Sequence, residues 1–423
     1  MTNLFILATI IRIYVYESLV YLFGFTDKAT YIRNIINRSS KYNVLIIKIV
    51  QALMGFGLFS PEVVKVLKQN THSVYVDDED VDHLLLERIQ KDYNIQLIGN
   101  THFHSGMVAV VYLGQMGDKK IVIKLKRRNI KERICAGCDS IQFIYDFFNR
   151  FSVFSNTIKK IVLSLQSITK TNVFLISQCD FATEIDATLT TKREVNGYPS
   201  ILQNIVIPNI YNNSSDIQNT NFIIMDYLDG VFSNDLSNAN EQIEYFEILF
   251  KYFSLSGWLF TYLHTDMHCG NIIYMKDCGI LKVGIIDYGM VVKSTDENKE
   301  GLQFLRDMYL NKITQREAFR GINYIVDNKL DLNIFNDEQQ LYIGTIFHDI
   351  ISKGVNGVLT EYYVISKIDS LSSVLNIDLV FNLDLFLILI SSSMLMSSFK
   401  VLTNYDNVVL NKTINNIMTE FIE

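Results

Sequence analysis

The most constraining feature of this chain is one polar loop, His264-Thr265-Asp266-Met267-His268-Cys269-Gly270-Asn271, followed by Ile286-Asp287-Tyr288-Gly289. It sets an Asp and an Asn five positions apart, with a second Asp sixteen residues beyond the Asn. That spacing lets Asp266 orient an attacking group, the Asn271 amide oxygen reach a metal, and Asp287 hold the metal against phosphate oxygens. Phosphoryl transfer rests on positioning and charge neutralisation, so a few fixed oxygens and a lysine are its expected signature. The residues alone leave a second reading open: His264, Asp266 and His268 put three metal donors on one loop, as in a hydrolytic metal site.

The pattern upstream supplies a lysine. Ile95–Ile98, Met107–Leu113 and Lys120–Leu125 are short, β-branched and bounded by turn residues, with Gly117-Asp118 as a hairpin turn between the last two. Three consecutive antiparallel strands would begin a kinase-type N-lobe, and Lys124 lies on the third, placed to bridge nucleotide phosphates. Such a lysine needs a carboxylate to hold it. Glu184, on a predicted helix sixty residues later, is the candidate, with Asp180 and Asp186 as neighbours that compete for the role. The loop between the first two strands, Gly99 to Gly106, lacks the G-x-G-x-x-G spacing that closes backbone amides over phosphates. Phe222–Tyr227 reads as a further strand ended by Asp229-Gly230.

Taken in order, these residues resemble the UbiB family of atypical, protein-kinase-like proteins. The family's His-Ala-Asp-Pro-His-Pro-Gly-Asn loop matches His264 to Asn271, and its Ile-Asp-Phe-Gly-Met matches Ile286 to Met290. Its Val-Ala-Val-Lys matches Ile121 to Lys124, and its Leu-Asp-Phe-x-x-Glu matches Cys179 to Glu184. The resemblance implies an α+β, bilobal protein-kinase-like fold that binds ATP with Mg2+ between its lobes. Lys124, Glu184 and Asp266 would be catalytic, Asn271 and Asp287 would ligate Mg2+, and the backbone at Asp226, Tyr227 and Leu228 would face the adenine. The family's Lys-x-Gly-Gln element appears as Lys48-Ile49-Val50-Gln51, so Lys48 and Gln51 would lie by the pocket while the close approach allowed by its glycine is lost. The Ala-rich covering loop, near His104 to Met107, is not kept. The resemblance further implies a UbiB-like kinase or ATPase in lipid or isoprenoid-quinone-related metabolism. The alternatives are a catalytically weak ATP-binding scaffold at membranes and a small-molecule phosphotransferase.

Composition narrows the rest. A net charge of −7 argues against nucleic acid as a partner. The local exception runs from Lys119 through Lys120, Lys124, Lys126, Arg127, Arg128 and Lys131 to Arg133, read either as a strand and turn with solvated charges or as a basic rim near a phosphate or an anionic lipid surface. Five Cys without a regular framework fit a reducing, intracellular compartment. The expected location is intracellular, on a cytoplasmic face, with the peripheral membrane association that the family resemblance implies. The apolar N-terminus, with Phe5, Ile10, Ile11 and Leu19, offers a helix that either packs on its own domain or lies on a lipid surface. A protein partner is not legible. The stretch between Asp384 and Lys400 is too short to span a bilayer and reads as a buried helix. Helical spacing covers residues 1–91, including a helix begun at Ser60-Pro61-Glu62, so the expected organisation is an extension at 1–91, an N-lobe at 92–230 and a helical C-lobe at 231–423.

Overall fold

Alternation along one strand organises the first sheet. In β4 (Lys119–Lys126), Ile121, Ile123 and Leu125 are buried, while Val122, Lys124 and Lys126 point to a half-exposed face. The structure, a computed structural model, describes residues 3–55, 74–99, 101–150, 172–217, 220–232, 238–309, 312–355, 361–377 and 382–402, plus positions 63, 165, 235–236, 359 and 379–380. The helix expected from Ser60-Pro61-Glu62 lies outside these residues, apart from Val63. The chain divides into two compact units, one of Met1–Phe181 with Tyr211–Tyr227, the other of Ala182–Ile210 with Leu228–Glu423.

In the first unit, β1 (Ile95–Leu97), β2 (His104–Ser105) and β3 (Ala109–Met116) precede β4, and β6 (Phe222–Asp226) completes an antiparallel order β1-β3-β4-β6. Met116 pairs with Lys119, so Gly117-Asp118 is the expected two-residue turn, with Gly117 at φ +59°. The strand β2 was not expected. It pairs with the same edge of β3 as β1 does, and the Gly106 N–H bonds the Ala109 C=O at 2.9 Å. The tight hairpin tip is therefore Gly106 to Ala109, and the described residues 98–99 and 101–103 lie outside the pairing of one interrupted strand.

Helices α1 (Asn3–Leu22), α2 (Lys28–Ser40), α3 (Ile46–Gly55) and α4 (His83–Asp92) precede the sheet. Asp27 caps α2 by accepting from the Thr30 N–H, and Asp82 caps α4 by accepting from Leu85. Leu86 and Ile89 of α4 join Val110, Ile121, Ile123 and Ile224 in one core. After β4 comes α5 (Ile130–Asn149).

Arg127 corrects the reading of the basic run as uniformly solvated. Its side chain is buried and donates to Asp80 at 2.5 Å, to the Tyr75 carbonyl at 3.0 Å and to the Gly106 carbonyl at 3.1 Å. Arg133 pairs with the other Asp80 oxygen. A dense charge run looks solvated in one dimension; here one guanidinium ties residues 74–80 to the hairpin tip because its planar fork satisfies several acceptors at once. Asp80→Ala should destabilise the protein by about 3–5 kcal/mol in denaturant unfolding, because it leaves a buried guanidinium without its carboxylate. Arg133→Ala, which removes a partly exposed partner, should cost about 1 kcal/mol or less.

The second unit opens with α6 (Phe181–Gly197), whose first residue belongs to the first unit. Its sheet orders β5 (Ile205–Val206), β9 (Ile280–Ile285) and β8 (Ile272–Asp277), while β7 (Tyr262–His264) pairs with β10 (Val291–Lys293). Around these lie α7 (Ala239–Leu259), α8 (Asp296–Tyr309), α9 (Asp337–Val355), α10 (Glu361–Leu375) and α11 (Leu383–Leu402). The stretch between Asp384 and Lys400 is the buried helix expected: Leu385 to Ile390 are all buried, and Phe399 meets the Phe246 ring edge-on at 4.0 Å. Among the described residues no helix is long and apolar enough to cross a membrane.

Candidate active site

The His264 ring joins the two halves of the motif. It sits at the end of β7, buried, where its Nδ1 accepts the Asp266 N–H at 3.1 Å and its Nε2 lies 3.1 Å from the Ile286 carbonyl. One nitrogen accepts and the other donates, which is the neutral imidazole with its proton on Nε2. Burial pushes its pKa below the ordinary value, only partly opposed by the bond to Ile286 and by Asp266 and Asp287. With both nitrogens engaged, His264 has no lone pair for a metal, which removes the three-donor reading of His264, Asp266 and His268. His268 is exposed and folds back on its own loop, its Nδ1 accepting from the Gly270 N–H at 2.9 Å and its Nε2 lying 3.6 Å from Asp266.

The loop is laced to the segment after Ile286. Thr265 donates its N–H to the Met290 carbonyl at 3.0 Å, and the Ile286 N–H bonds the Asn271 carbonyl at 3.1 Å. Asn271 is buried, and its Nδ2 donates to the Asp266 carbonyl at 2.9 Å. The amide's donors are thus directed into the loop, which leaves Oδ1 as the acceptor suited to a metal. Asp287 sits at φ +62°, a left-handed conformation that Asp tolerates better than most residues. A Cβ on Gly289 would stand 3.1 Å from Asp287 Oδ1 and 3.3 Å from Glu184 Oε2, so the absent side chain lets the two carboxylates approach that glycine together. Between the two carboxylates competing on α6, the structure brings Glu184 here, whereas Asp186 accepts the Tyr262 hydroxyl at 2.7 Å.

An Asn oxygen and one Asp carboxylate fit Mg2+, a hard cation that takes one or two protein oxygens and completes its shell with phosphates and water. Among the described residues no group of three or more His, Cys, Asp or Glu forms a closed metal cage.

Tyr288, where the family resemblance expects Phe, is fully buried. Its hydroxyl lies 3.0 Å from that of Tyr252 on α7, and its ring meets His264 edge-on at 4.9 Å. Burial raises both tyrosine pKa values, so the pair is a neutral hydrogen bond.

The remaining candidates, apart from Leu228, lie in the first unit. Lys124 stands over the Phe181 ring at 5.4 Å and Lys126 over the same ring at 4.8 Å, a cation–π pairing that sequence reasoning passed over although Phe181 lies within the quoted motif. Asp226 closes β6 and accepts the Tyr211 hydroxyl at 2.5 Å, while the Tyr227 N–H continues the ladder to the Lys120 carbonyl at 3.2 Å. Tyr227 also meets Phe103 edge-on at 6.1 Å. Leu228 belongs to the second unit and packs against Gly284. Lys48 is half-buried on α3, and Gln51 follows one turn later on the same helix; the Gln51 side chain lies outside the described residues.

A loop of Asp and Asn laced to an Asp-x-Gly segment keeps the order of groups expected of a kinase-like domain. The chain belongs to the ABC1 atypical kinase-like domain family, whose model matches residues 88–315, more than half of its length. No curated protein matches it. Among solved structures it is similar to the Rv3197–erythromycin complex from Mycobacterium tuberculosis, at 12% identity and TM-score 0.40 over 83% of this chain and 90% of that one. It is also similar to the Rio2 kinase–ADP/Mg2+–phosphoaspartate complex from Chaetomium thermophilum, at 13% identity and TM-score 0.31 over 78% and 96%. A third is spectinomycin phosphotransferase APH(9)-Ia with ADP and spectinomycin, at 10% identity and TM-score 0.24 over 74% and 98%. Similarities this low carry no argument, and the assignment rests on the family model.

A neutral buried His264 makes stability depend on pH. The unfolded chain binds a proton near the ordinary pKa of about 6.5 and the folded one only below that, so stability falls as pH drops through about 6.5. The melting temperature should therefore fall more between pH 7.5 and 5.5 in the wild type than in His264→Asn, measured by calorimetry in the same buffers.

Proposed function

We propose that this chain is a UbiB-like atypical kinase or ATPase that binds ATP with Mg2+. The observation that carries the reading is the Asp266–Asn271 loop, bound through neutral His264 to the Asp287 segment, with Glu184 beside Gly289. In this reading Asp266 orients the attacking oxygen and takes up its proton, and Asn271 and Asp287 would hold Mg2+, whose role there would be to neutralise phosphate charge. Lys124 binds the phosphates, Glu184 holds Lys124, and the backbone of Asp226, Tyr227 and Leu228 faces the adenine. Lys48 and Gln51 regulate access from the extension. The proposed organisation is an extension at 1–91 and two lobes at 92–230 and 231–423.

Asp287→Asn keeps the side chain's shape and removes one charge. It should lower ATP-dependent phosphate release by about a hundredfold or more, measured at saturating Mg2+ with and without lipid or phenol additives. Equal, negligible release from wild type and Asp287→Asn, with ATP still raising the melting temperature, would leave a nucleotide-binding scaffold as the function.

The N-terminal surface favours action at a membrane, in lipid or isoprenoid-quinone-related chemistry. Leu22, Phe23 and Phe25, at the end of α1, are each more than 70% exposed, and Ile11, Tyr14 and Val15 extend the apolar surface along the helix. Residues 1–44 carry Arg12, Lys28, Arg33, Arg38 and Lys41 against Glu17 and Asp27, the reverse of the whole chain's balance, and Glu17 is buried. Apolar side chains beside a basic balance suit an anionic lipid surface on the cytoplasmic face. The full chain should co-sediment with vesicles containing phosphatidylserine, and replacing Leu22, Phe23 and Phe25 by Ser should reduce the bound fraction about tenfold. Equal binding by both proteins would remove the membrane from this reading.

A further inference from the structure

We propose that Ser391, on the C-terminal helix α11 and beyond the family-matched segment, is a positioning residue for the Asp266 loop. The inference rests on the phosphoryl-transfer reading above. Its hydroxyl accepts the Met267 N–H at 3.4 Å and donates to the His264 carbonyl at 3.3 Å. One oxygen therefore holds the backbone on both sides of Asp266. Ser391, Met267 and His264 are all buried, so water is not at hand to replace that hydroxyl. Thr265 is held by Met290, the Asp266 N–H by His264 and the Asp266 carbonyl by Asn271, and Ser391 adds an anchor at the His264 carbonyl and the Met267 N–H.

The same helix contains its own control. Ser393 is equally buried and makes the same pair of bonds, accepting the Leu359 N–H at 3.0 Å and donating to the Leu359 carbonyl at 3.2 Å. The two serines share helix, burial and hydrogen-bond chemistry, and differ in what they hold. A serine that only satisfies buried backbone would behave like Ser393. A serine that sets the direction of Asp266 would affect turnover, because a displacement of about 1 Å at a reacting group costs up to about a hundredfold in rate.

The test compares Ser391→Ala with Ser393→Ala in the full chain, by melting temperature, ATP turnover and amide hydrogen exchange. Both should lose similar stability. Ser391→Ala should lower turnover about ten- to a hundredfold with the KM for ATP within about twofold, and speed exchange of the Met267 amide about tenfold. Ser393→Ala should leave turnover and Met267 exchange within about twofold of wild type. Equal turnover losses in the two variants, or unchanged Met267 exchange in Ser391→Ala, would overturn the proposal. If the wild type itself hydrolyses no ATP, the phosphoryl-transfer reading fails separately, and Met267 exchange still decides whether Ser391 anchors the loop. Should Ser391→Ala not fold, Ser391→Cys, with the same shape and weaker hydrogen bonds, takes its place.

Discussion

A single uncharged imidazole connects the parts of the candidate site. His264 accepts from the backbone before the Asp266 side chain and donates to the backbone before Asp287. Protonation would replace the acceptor at Nδ1 with a second donor, set against an N–H that also donates. Burial opposes that protonation, so the packing that hides the ring also preserves the bonding pattern that positions the loop. The Tyr288 ring supplies part of this packing, and the Tyr252–Tyr288 hydroxyl pair fixes the ring in turn to α7. The path from helix to tyrosine pair to imidazole to the backbone of Asp266 is continuous within the second unit.

The first unit depends on a different solution to the same problem. A hairpin tip has few backbone bonds of its own, and the Gly106–Ala109 tip is secured from below by Arg127, which also binds residues 74–80 through Tyr75 and Asp80. A buried guanidinium is costly unless every donor finds an acceptor, and here one carboxylate and several carbonyls provide them. The arrangement makes the segment joining the N-terminal helices to the sheet part of the support of the tip. The tip backbone is thus held by a side-chain bond from outside the hairpin.

Much of this was legible in advance, and the exceptions share a cause. The alternation of Ile121, Ile123 and Leu125 marked β4, and Gly117-Asp118 marked its turn, because strand period and turn chemistry are local properties. The motif residues stood out because the chemistry that the resemblance implies requires particular residue types in a particular order. The hairpin tip was expected among Gly99 to Gly106 but closes one step later, since the interrupted strand depends on pairing with β3 that spacing does not encode. Arg127 was read as solvated because its partners, Tyr75, Asp80 and Gly106, lie far from it in sequence. Tyr288 was noted only as the counterpart of a phenylalanine, and its hydroxyl gains meaning from Tyr252 on another helix.

By itself the sequence determined the order of the chemical groups, Lys124, Glu184, Asp266, Asn271 and Asp287, and the helical or extended character of the segments that carry them. These follow from residue type, local spacing and the periodicity of apolar side chains, all of which act over a few residues. Tertiary structure decided which of the carboxylates on α6 stands beside Gly289, which nitrogen of His264 holds the proton, and that a serine near the C-terminus braces the backbone around Asp266. Those outcomes depend on burial, which removes water as a competing hydrogen-bond partner. Burial is set by packing between segments more than a hundred residues apart in the case of Ser391 and His264, a separation no local pattern can register.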